Sequence, residues 1–421
     1  MPRAMYHHHT TCNCARAGEN EAMPPRVADV TAETYRELTR ERRWLADLDG
    51  EVLRTQVEVA QIAAPTGSEG RRGRWMARRF ADVGLAASLD GAGNVVARTR
   101  GAYAGDPVVV CAHLDTVFPE STNLAVQRDG ERVVGPGICD NGRGLAVMLT
   151  LARVIERGNT GLARGIEFVA TTGEEGVGDL RGAKYYLANS ARPFAVIVLD
   201  GAGDDRIVNT ALGSRRFRVV CRGPGGHSWA AFGTPNPVHA AARAAAGLAS
   251  VRIRGASRSA ITVSRIGGGM SINAIPEEAW LEVDARSTDD QTLALLEREI
   301  RAIVTAAAAE ENDRRTPGTQ PLSHTVERIG DRPSGATPDD APLVVAASEA
   351  TRLVGREPEL ATASTDANAA IGVGAPAIAI GAGGKGGDAH TKREWFDPTN
   401  ATLGVERALT IIATMARLVT E

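Results

Sequence analysis

Three short runs of apolar residues constrain the fold more than anything else in this chain. They are Pro107 to Ala112 (PVVVCA), Ile166 to Thr171 (IEFVAT) and Ala195 to Leu199 (AVIVL). A strand with one wet face alternates apolar and polar residues; apart from Glu167 and Thr171 these runs are apolar throughout, so both faces are expected to be covered. The stretches Leu145–Ile155 and Leu180–Ala188 read as helices between them. Strands alternating with helices predict a mostly parallel sheet with helices on both faces, an α/β fold. A helical region rich in Arg, Glu, Leu and Ala, from about residue 30 to 85, precedes the first run.

A module of different rhythm interrupts this pattern. Phe217–Arg222 reads as a strand, Pro235–Ser250 as an Ala-rich helix, Ala260–Ile266 and Ala279–Arg286 as two strands. A helix over Asp290–Ala309 and a strand over Pro321–Ile329 follow. That order, β-α-β-β-α-β, is the ferredoxin-like split βαβ arrangement. The first pattern then resumes with a helix at Ala341–Val354, a strand at Pro376–Ile380 and a closing helix at Thr402–Val419. The expected organisation is one domain from 25–210 and 331–421, with an inserted module over 211–330. A length of 421 residues agrees with two domains. The Gly-rich stretch Gly381–Gly387 (GAGGKGG) reads as a loop.

Apolar residues make up 43% and charged residues 24%, with a net charge of −3. That balance gives no reason to expect nucleic acid or an anionic membrane as partner. No apolar run of about eighteen residues is present, so no transmembrane helix is expected. The N-terminal MPRAMYHHHTTCNCARAGENEAMPP lacks the apolar core of a signal peptide. Its histidines and Cys12-Asn-Cys14 allow loose metal binding, but a disordered tail over 1–24, or an extension ahead of a start at Met23, is the simpler reading. Five cysteines, at 12, 14, 111, 139 and 221, are odd in number and widely spaced. They predict no disulfide framework, a reducing compartment and hence the cytoplasm.

The residues that carry chemistry fall at the C-terminal ends of the expected strands, where open α/β sheets bind ligands. His113 closes the first run, and Asp115, two residues on, faces the same side and can hold the imidazole. Asp140 lies in GPGICDNGRG at the mouth of a helix; it reads equally as an N-cap, a task Asn141 can take instead. Glu174 and Glu175 lie in a Gly-flanked turn (TTGEEG) and point apart, so one can ligate while the other faces substrate as a base. Asp200 follows five apolar residues and needs a partner or solvent. His390 lies in GGDAHTKREW. Taken singly, each has a plain structural explanation. Taken together, imidazole and carboxylate without thiolate suit Zn, Mn, Co or Ni, as one or two divalent ions.

The segments HLDTVFP, GPGICDNGRG, TTGEEG, VLDG and DAHTKREW together resemble the co-catalytic metallopeptidase family of glutamate carboxypeptidase, peptidase T, aminoacylase and succinyl-diaminopimelate desuccinylase. The resemblance runs from about residue 50 to the end. It implies that Asp140 bridges two metals, with His113 and Asp200 on one and Glu175 and His390 on the other. It implies Glu174 as general base and Asp115 as the residue that orients His113. The family often has Glu where Asp200 stands; Asp there resembles its aminopeptidase-like members. The inserted module resembles the family's lid and dimerisation domain. By that resemblance His227 (GPGGHSW) reaches across a homodimer to the oxyanion, and Asn273 and Arg286 hold a substrate carboxylate. Backbone amides of the Gly-rich loop, at Gly383 and Gly384, are expected to face the same anion, with Lys385 nearby. Trp229 and Phe232, close to His227, either favour a flat substrate or pack a dimer seam.

The expected function is a hydrolase acting on a small carboxylate-bearing molecule, through amide (peptide or N-acyl amino acid) hydrolysis. An aminohydrolase releasing ammonia from an aromatic amino acid such as a substituted anthranilate is the alternative. An inactive scaffold is disfavoured because the base and all five ligands are present together.

Overall fold

The computed structural model describes residues 26–101, 103, 105–158, 160–253 and 258–418. The expected tail over 1–24, with its histidines, Cys12, Cys14 and Met23, lies outside the described residues, as does Val419.

Three helices come first: α1 (Val27–Glu37), α2 (Thr39–Ala60) and α3 (Gly70–Asp82). The sheet strands that follow are β1 (Ala87–Leu89), β2 (Val95–Arg98), β3 (Val108–His113), β4 (Ile166–Thr171), β5 (Ala195–Leu199) and β6 (Arg206–Ala211). Helix α4 (Gly142–Arg157) lies between β3 and β4, and α5 (Arg181–Asn189) between β4 and β5. The chain then enters a second sheet with β7 (Gly213–Arg222), α6 (Pro237–Ala249), β8 (Ser259–Gly268), β9 (Glu278–Ser287), α7 (Asp290–Asp313) and β10 (Ser323–Arg332). It returns through β11 (Gly335–Ala336), α8 (Pro342–Leu353), β12 (Glu359–Ala363), α9 (Ala367–Gly372), β13 (Ala377–Ile380) and α10 (Thr402–Arg417).

The large sheet has nine strands in the order β1-β2-β4-β3-β5-β13-β6-β11, with β12 paired to β6. Its centre is parallel, β4, β3, β5 and β13 running together. The apolar runs are buried on both faces as their composition demands. Val108, Val110 and Ala112 share one apolar cluster with residues of α2, α4, α8 and α10, while Val109 and Cys111 share another with residues of α5 and α9. Strands β1, β2, β6 and β12 carry too few consecutive apolar residues to stand out in the sequence; antiparallel pairing and edge position explain why they need fewer.

The second sheet is antiparallel in the order β8-β9-β7-β10. Along β9, Ala279, Leu281, Val283 and Ala285 are buried against α6 and α7, while Trp280, Glu282, Asp284 and Arg286 face away. That period of two makes one face core and leaves one open. The expected junctions at 210/211 and 330/331 fall inside β6 and β10. The sheets change instead at Leu212 and at Pro333–Ser334, because strand pairing continues to Ala211 and to Arg332.

The stretch Gly381–Gly387 is not wholly a loop. Lys385–Gly387 pairs with Trp395–Asp397 in a small sheet completed by Arg132–Val134 and Gln127–Asp129. Glycine is needed there for close approach: a Cβ on Gly384 or Gly387 would meet the rings of Phe396 and Trp395 within 2.6 and 2.8 Å.

Candidate metal centre

The C-terminal ends of β3, β4 and β5 lie side by side, because these strands are parallel neighbours. His113 ends β3, Glu174 and Glu175 follow β4, and Asp200 follows β5. Asp140 arrives from the loop before α4, and His390 from the loop after the Lys385–Gly387 strand. Ligand atoms of His113, Asp140 and Asp200 lie within 4.8 Å of one another, as do those of Asp140, Glu175 and His390. Asp140 stands between the two imidazoles, with Oδ1 at 2.9 Å from His113 Nε2 and Oδ2 at 3.1 Å from His390 Nε2. Glu175 Oε1 is 2.9 Å from His390 Nε2, and Asp200 Oδ1 is 3.9 Å from His113 Nε2.

His113 and the segments that carry Asp140 and the two glutamates are held from behind. Asn141 caps α4 by accepting the Gly144 amide, and its Nδ2 donates to the Leu199 carbonyl, which ties the Asp140 loop to the strand end before Asp200. Glu394 is buried, and its carboxylate accepts the amides of Gly137, Cys139 and Asp140 at 3.0, 2.7 and 2.7 Å. Burial and the charge of Asp140 push Glu394 up to about 7. His113 Nδ1 lies 3.0 Å from the carbonyl oxygen of Asp115 and 3.6 Å from its Oδ1. The Asp115 carboxylate is committed mainly to the glutamate turn: it accepts the amides of Glu174 and Glu175 at 2.9 Å each, and the Thr66 hydroxyl. So the expected Asp115–His113 contact runs chiefly through the backbone, since the side chain is occupied.

The donor set suits a divalent cation. Asp140 Oδ1 is buried and accepts no hydrogen bond of good geometry. Three carboxylates crowd this space, and burial with repulsion from Asp140 pushes Asp200 up to about 7 and raises Glu175. A cation between the imidazoles and carboxylates removes that repulsion and gives the orphaned oxygen a partner.

Glu174 lies beside the ligands, and its Oε1 is 3.0 Å from Nη1 of Arg332, the last residue of β10. Arg332 Nη2 donates to the Glu174 carbonyl, and Nη1 also donates to Ser364 Oγ. Burial raises the Glu174 carboxyl well above its ordinary range, against the pull of Arg332. Asp366 is buried behind the site and accepts the Thr171 hydroxyl at 2.5 Å. Arg332, Glu394 and Asp366 were not singled out from the sequence. Glu394 had a signal, four residues after His390 in one motif; Arg332 had none, being 158 residues from Glu174.

The residues expected to touch substrate are placed differently. Arg286 lies on the open face of the second sheet, and Arg286 and Arg332 both pair with Ser214, from opposite sides. Residues paired across strands share a face, so Arg286 lies in the cross-strand row that reaches Glu174. Its Nε donates to Asp284 at 2.6 Å. His227 and Asn273 line a cavity of about 660 Å³ on the second module with Met270 and Trp280. His227 is exposed, and Nδ1 accepts the amides of Trp229 and Ala230, which leaves the proton on Nε2. No hydrogen bond or ion pair among the described residues ties His227 to the metal ligands. Gly383 and Gly384 are both buried, and the Gly383 amide donates to the Gly203 carbonyl at 2.9 Å, so it is not free to face an anion as expected. A Cβ on Gly383 would lie 2.0 Å from the Ala401 carbonyl oxygen, so close backbone packing explains this glycine.

Known proteins share this architecture. The chain is 25% identical over 385 residues to the uncharacterized protein YqjE of Bacillus subtilis, an alignment covering 87% of this chain and 98% of that one. A tripeptidase from Staphylococcus aureus has the same fold with a TM-score of 0.72 at 22% identity, covering 88% of this chain and 99% of that chain. The Bacillus subtilis YXEP protein, described as a dinuclear metal binding peptidase, superposes with a TM-score of 0.63 at 18% identity over 87% of this chain and 98% of its own. The model of peptidase family M20/M25/M40 matches residues 109–417, a span that holds all five clustered candidate ligands, and the chain is a metal-dependent hydrolase belonging to that family.

Proposed function

We propose that this hydrolase cleaves an amide bond, in a peptide or an N-acyl amino acid, of a small substrate that carries a carboxylate. The observation that carries the reading is Asp140 placed between two imidazoles, each with a further carboxylate, beside the buried Glu174. His113 and Asp200 would hold one ion, Glu175 and His390 a second, and Asp140 both. Ions bound there supply electrostatic activation of the attacked carbonyl and of the attacking water. Glu174 takes the proton from that water and returns it to the departing nitrogen, a task suited to a carboxyl whose affinity for protons burial has raised. Asp115 keeps the Glu174–Glu175 turn in register through two amides.

Arg286 would bind the substrate carboxylate by its planar guanidinium; Asn273, beside His227 past the far end of β9, would join it from a second copy. His227, with a proton on Nε2, would donate to the developing oxyanion of a second copy's site. Exposed Trp229, Phe232, Met270 and Ile272 around it form the surface for such a homodimer. Among the described residues no helix is long and apolar enough to cross a membrane, and Cys111, Cys139 and Cys221 are buried free thiols, compatible with the cytoplasm.

The test is substrate depletion across peptides, N-acyl amino acids and amino-aromatic acids, with native, chelated and Zn-, Mn-, Co- or Ni-restored protein. Turnover of peptides or acyl amino acids that chelation stops supports the reading. Ammonia release from the aromatic amines alone would assign an aminohydrolase instead.

A further inference from the structure

The strand that leaves the second module and the turn that carries Glu174 are joined at two points. At the first, Arg332 donates one guanidinium nitrogen to Glu174 Oε1 at 3.0 Å and another to the Glu174 carbonyl. A planar group that grips a side chain and its own backbone together fixes the torsions between them. At the second, both carboxylate oxygens of Asp179 accept the Asp331 amide, at 3.0 and 2.9 Å. Lys184 Nζ closes the ring, donating to Asp179 at 2.6 Å and to the Asp331 carbonyl at 2.9 Å.

Two local features make the contact possible. Strand β10 is irregular between Arg328 and Gly330, and a Cβ on Gly330 would lie 3.2 Å from Asp179 Oδ1. Asp179 and Leu180 have φ of 54° and 60°, left-handed for two successive residues that are not glycine. Such conformations persist where the surroundings over-determine them. Here those surroundings are the Asp331 backbone and the buried seat of Leu180.

We propose that Arg332 and Asp179 are positioning residues for Glu174, which transmit the orientation of the second module to the carboxylate that moves the proton. Arg332 is the last residue of β10, and only Pro333 and Ser334 separate it from β11 of the large sheet. Rotation of the module about Leu212 and Pro333–Ser334 therefore carries Asp331 and Arg332 with it, and Glu174 follows. Arg286 stands in the same cross-strand row as Arg332, so substrate engaged by the module sets the base in place. This rests on the reading of Glu174 as proton acceptor.

The experiment uses the full metal-loaded chain with Arg332→Gln, Arg332→Lys and Asp179→Asn, each alone and combined with Glu174→Gln. Misplacement of a reacting group by about 1 Å costs on the order of 10²-fold. Arg332→Gln and Asp179→Asn should therefore lower kcat by roughly ten- to a hundredfold, with KM within about twofold and bound metal at the native level. Arg332→Lys should stay low, because one ammonium does not grip both acceptors. Amides 173–180 should exchange hydrogen faster in these variants. In the Glu174→Gln background neither substitution should subtract further activity. A raised KM with native kcat, or losses that multiply with Glu174→Gln, would overturn the proposal by giving Arg332 a task of its own. Native kcat in Glu174→Gln would instead remove the reading of Glu174, whatever the other variants do. If Arg332→Gln does not fold, Asp179→Asn decides.

Discussion

Glu394 and Asp140 are joined through the backbone: the carboxylate of one accepts the amide of the other at 2.7 Å, leaving the Asp140 side chain free to face both imidazoles. Glu394 thereby sets the loop that carries the central ligand without entering the ligand cluster. Partners of this kind typically contribute 10- to 100-fold in metal affinity. Glu394→Ala should weaken metal binding by about that factor in a competition titration, with the folded state retained in circular dichroism. Unchanged affinity would reduce Glu394 to a loop anchor.

Glu174→Gln keeps the shape of the side chain and removes its basicity. General bases contribute typically 10²–10⁴-fold, so kcat should fall by about that much while metal content stays native. Loss of metal in this variant would show that Glu174 and Glu175 have exchanged roles.

Metal uptake should depend on pH with a definite sign. The Asp140 carboxylate holds His390 up at about 9, and burial with the charge of Asp140 pushes Asp200 up to about 7. Below pH 7 an ion must displace protons from both groups, and between 7 and 9 still that of His390; His113, which Asp115 and Asp140 raise well above the ordinary imidazole value against the effect of burial, adds a further proton to be displaced. Apparent affinity should therefore rise with pH, by up to about tenfold per unit for each proton displaced. Titration with a chromophoric chelator at pH 6 and pH 8 measures this, and equal affinities would contradict the assignment.

His227 is exposed and has no contact with the ligands of its own chain, whereas its proposed task is at the oxyanion. A mixture of Glu174→Gln and His227→Ala chains, each inactive alone, should regain activity when subunits exchange. Absence of rescue despite demonstrated exchange would take His227 out of the partner's site.

The Arg286 guanidinium should distinguish acids from their esters. A methyl ester of the substrate should raise KM steeply or stop turnover in native protein, since a bidentate ion pair is lost. Arg286→Ala should narrow that gap. Equal turnover of acid and ester by native protein would leave Arg286 as a partner of Asp284 alone.

The sequence alone determined the parallel core, because strands such as Val108–His113 are apolar at every position before the closing histidine and only burial on both faces accommodates that. It also marked the candidate ligands that the structure brings together, because an α/β sheet of this kind gathers the residues at its strand ends. His113, Asp140, Glu175, Asp200 and His390 each sit next to a strand end or a helix start, so local pattern and sheet topology suffice to bring them together. Tertiary structure decided everything that depends on long-range approach. Arg332 reaches Glu174 only because β10 ends at the junction of the two sheets, and no local pattern marks an arginine 158 residues away as its partner. Gly383 showed the reverse: a glycine that suggests an anion loop in sequence is packed against Ala401 with its amide on the Gly203 carbonyl, and that density of neighbours is a property of the folded chain.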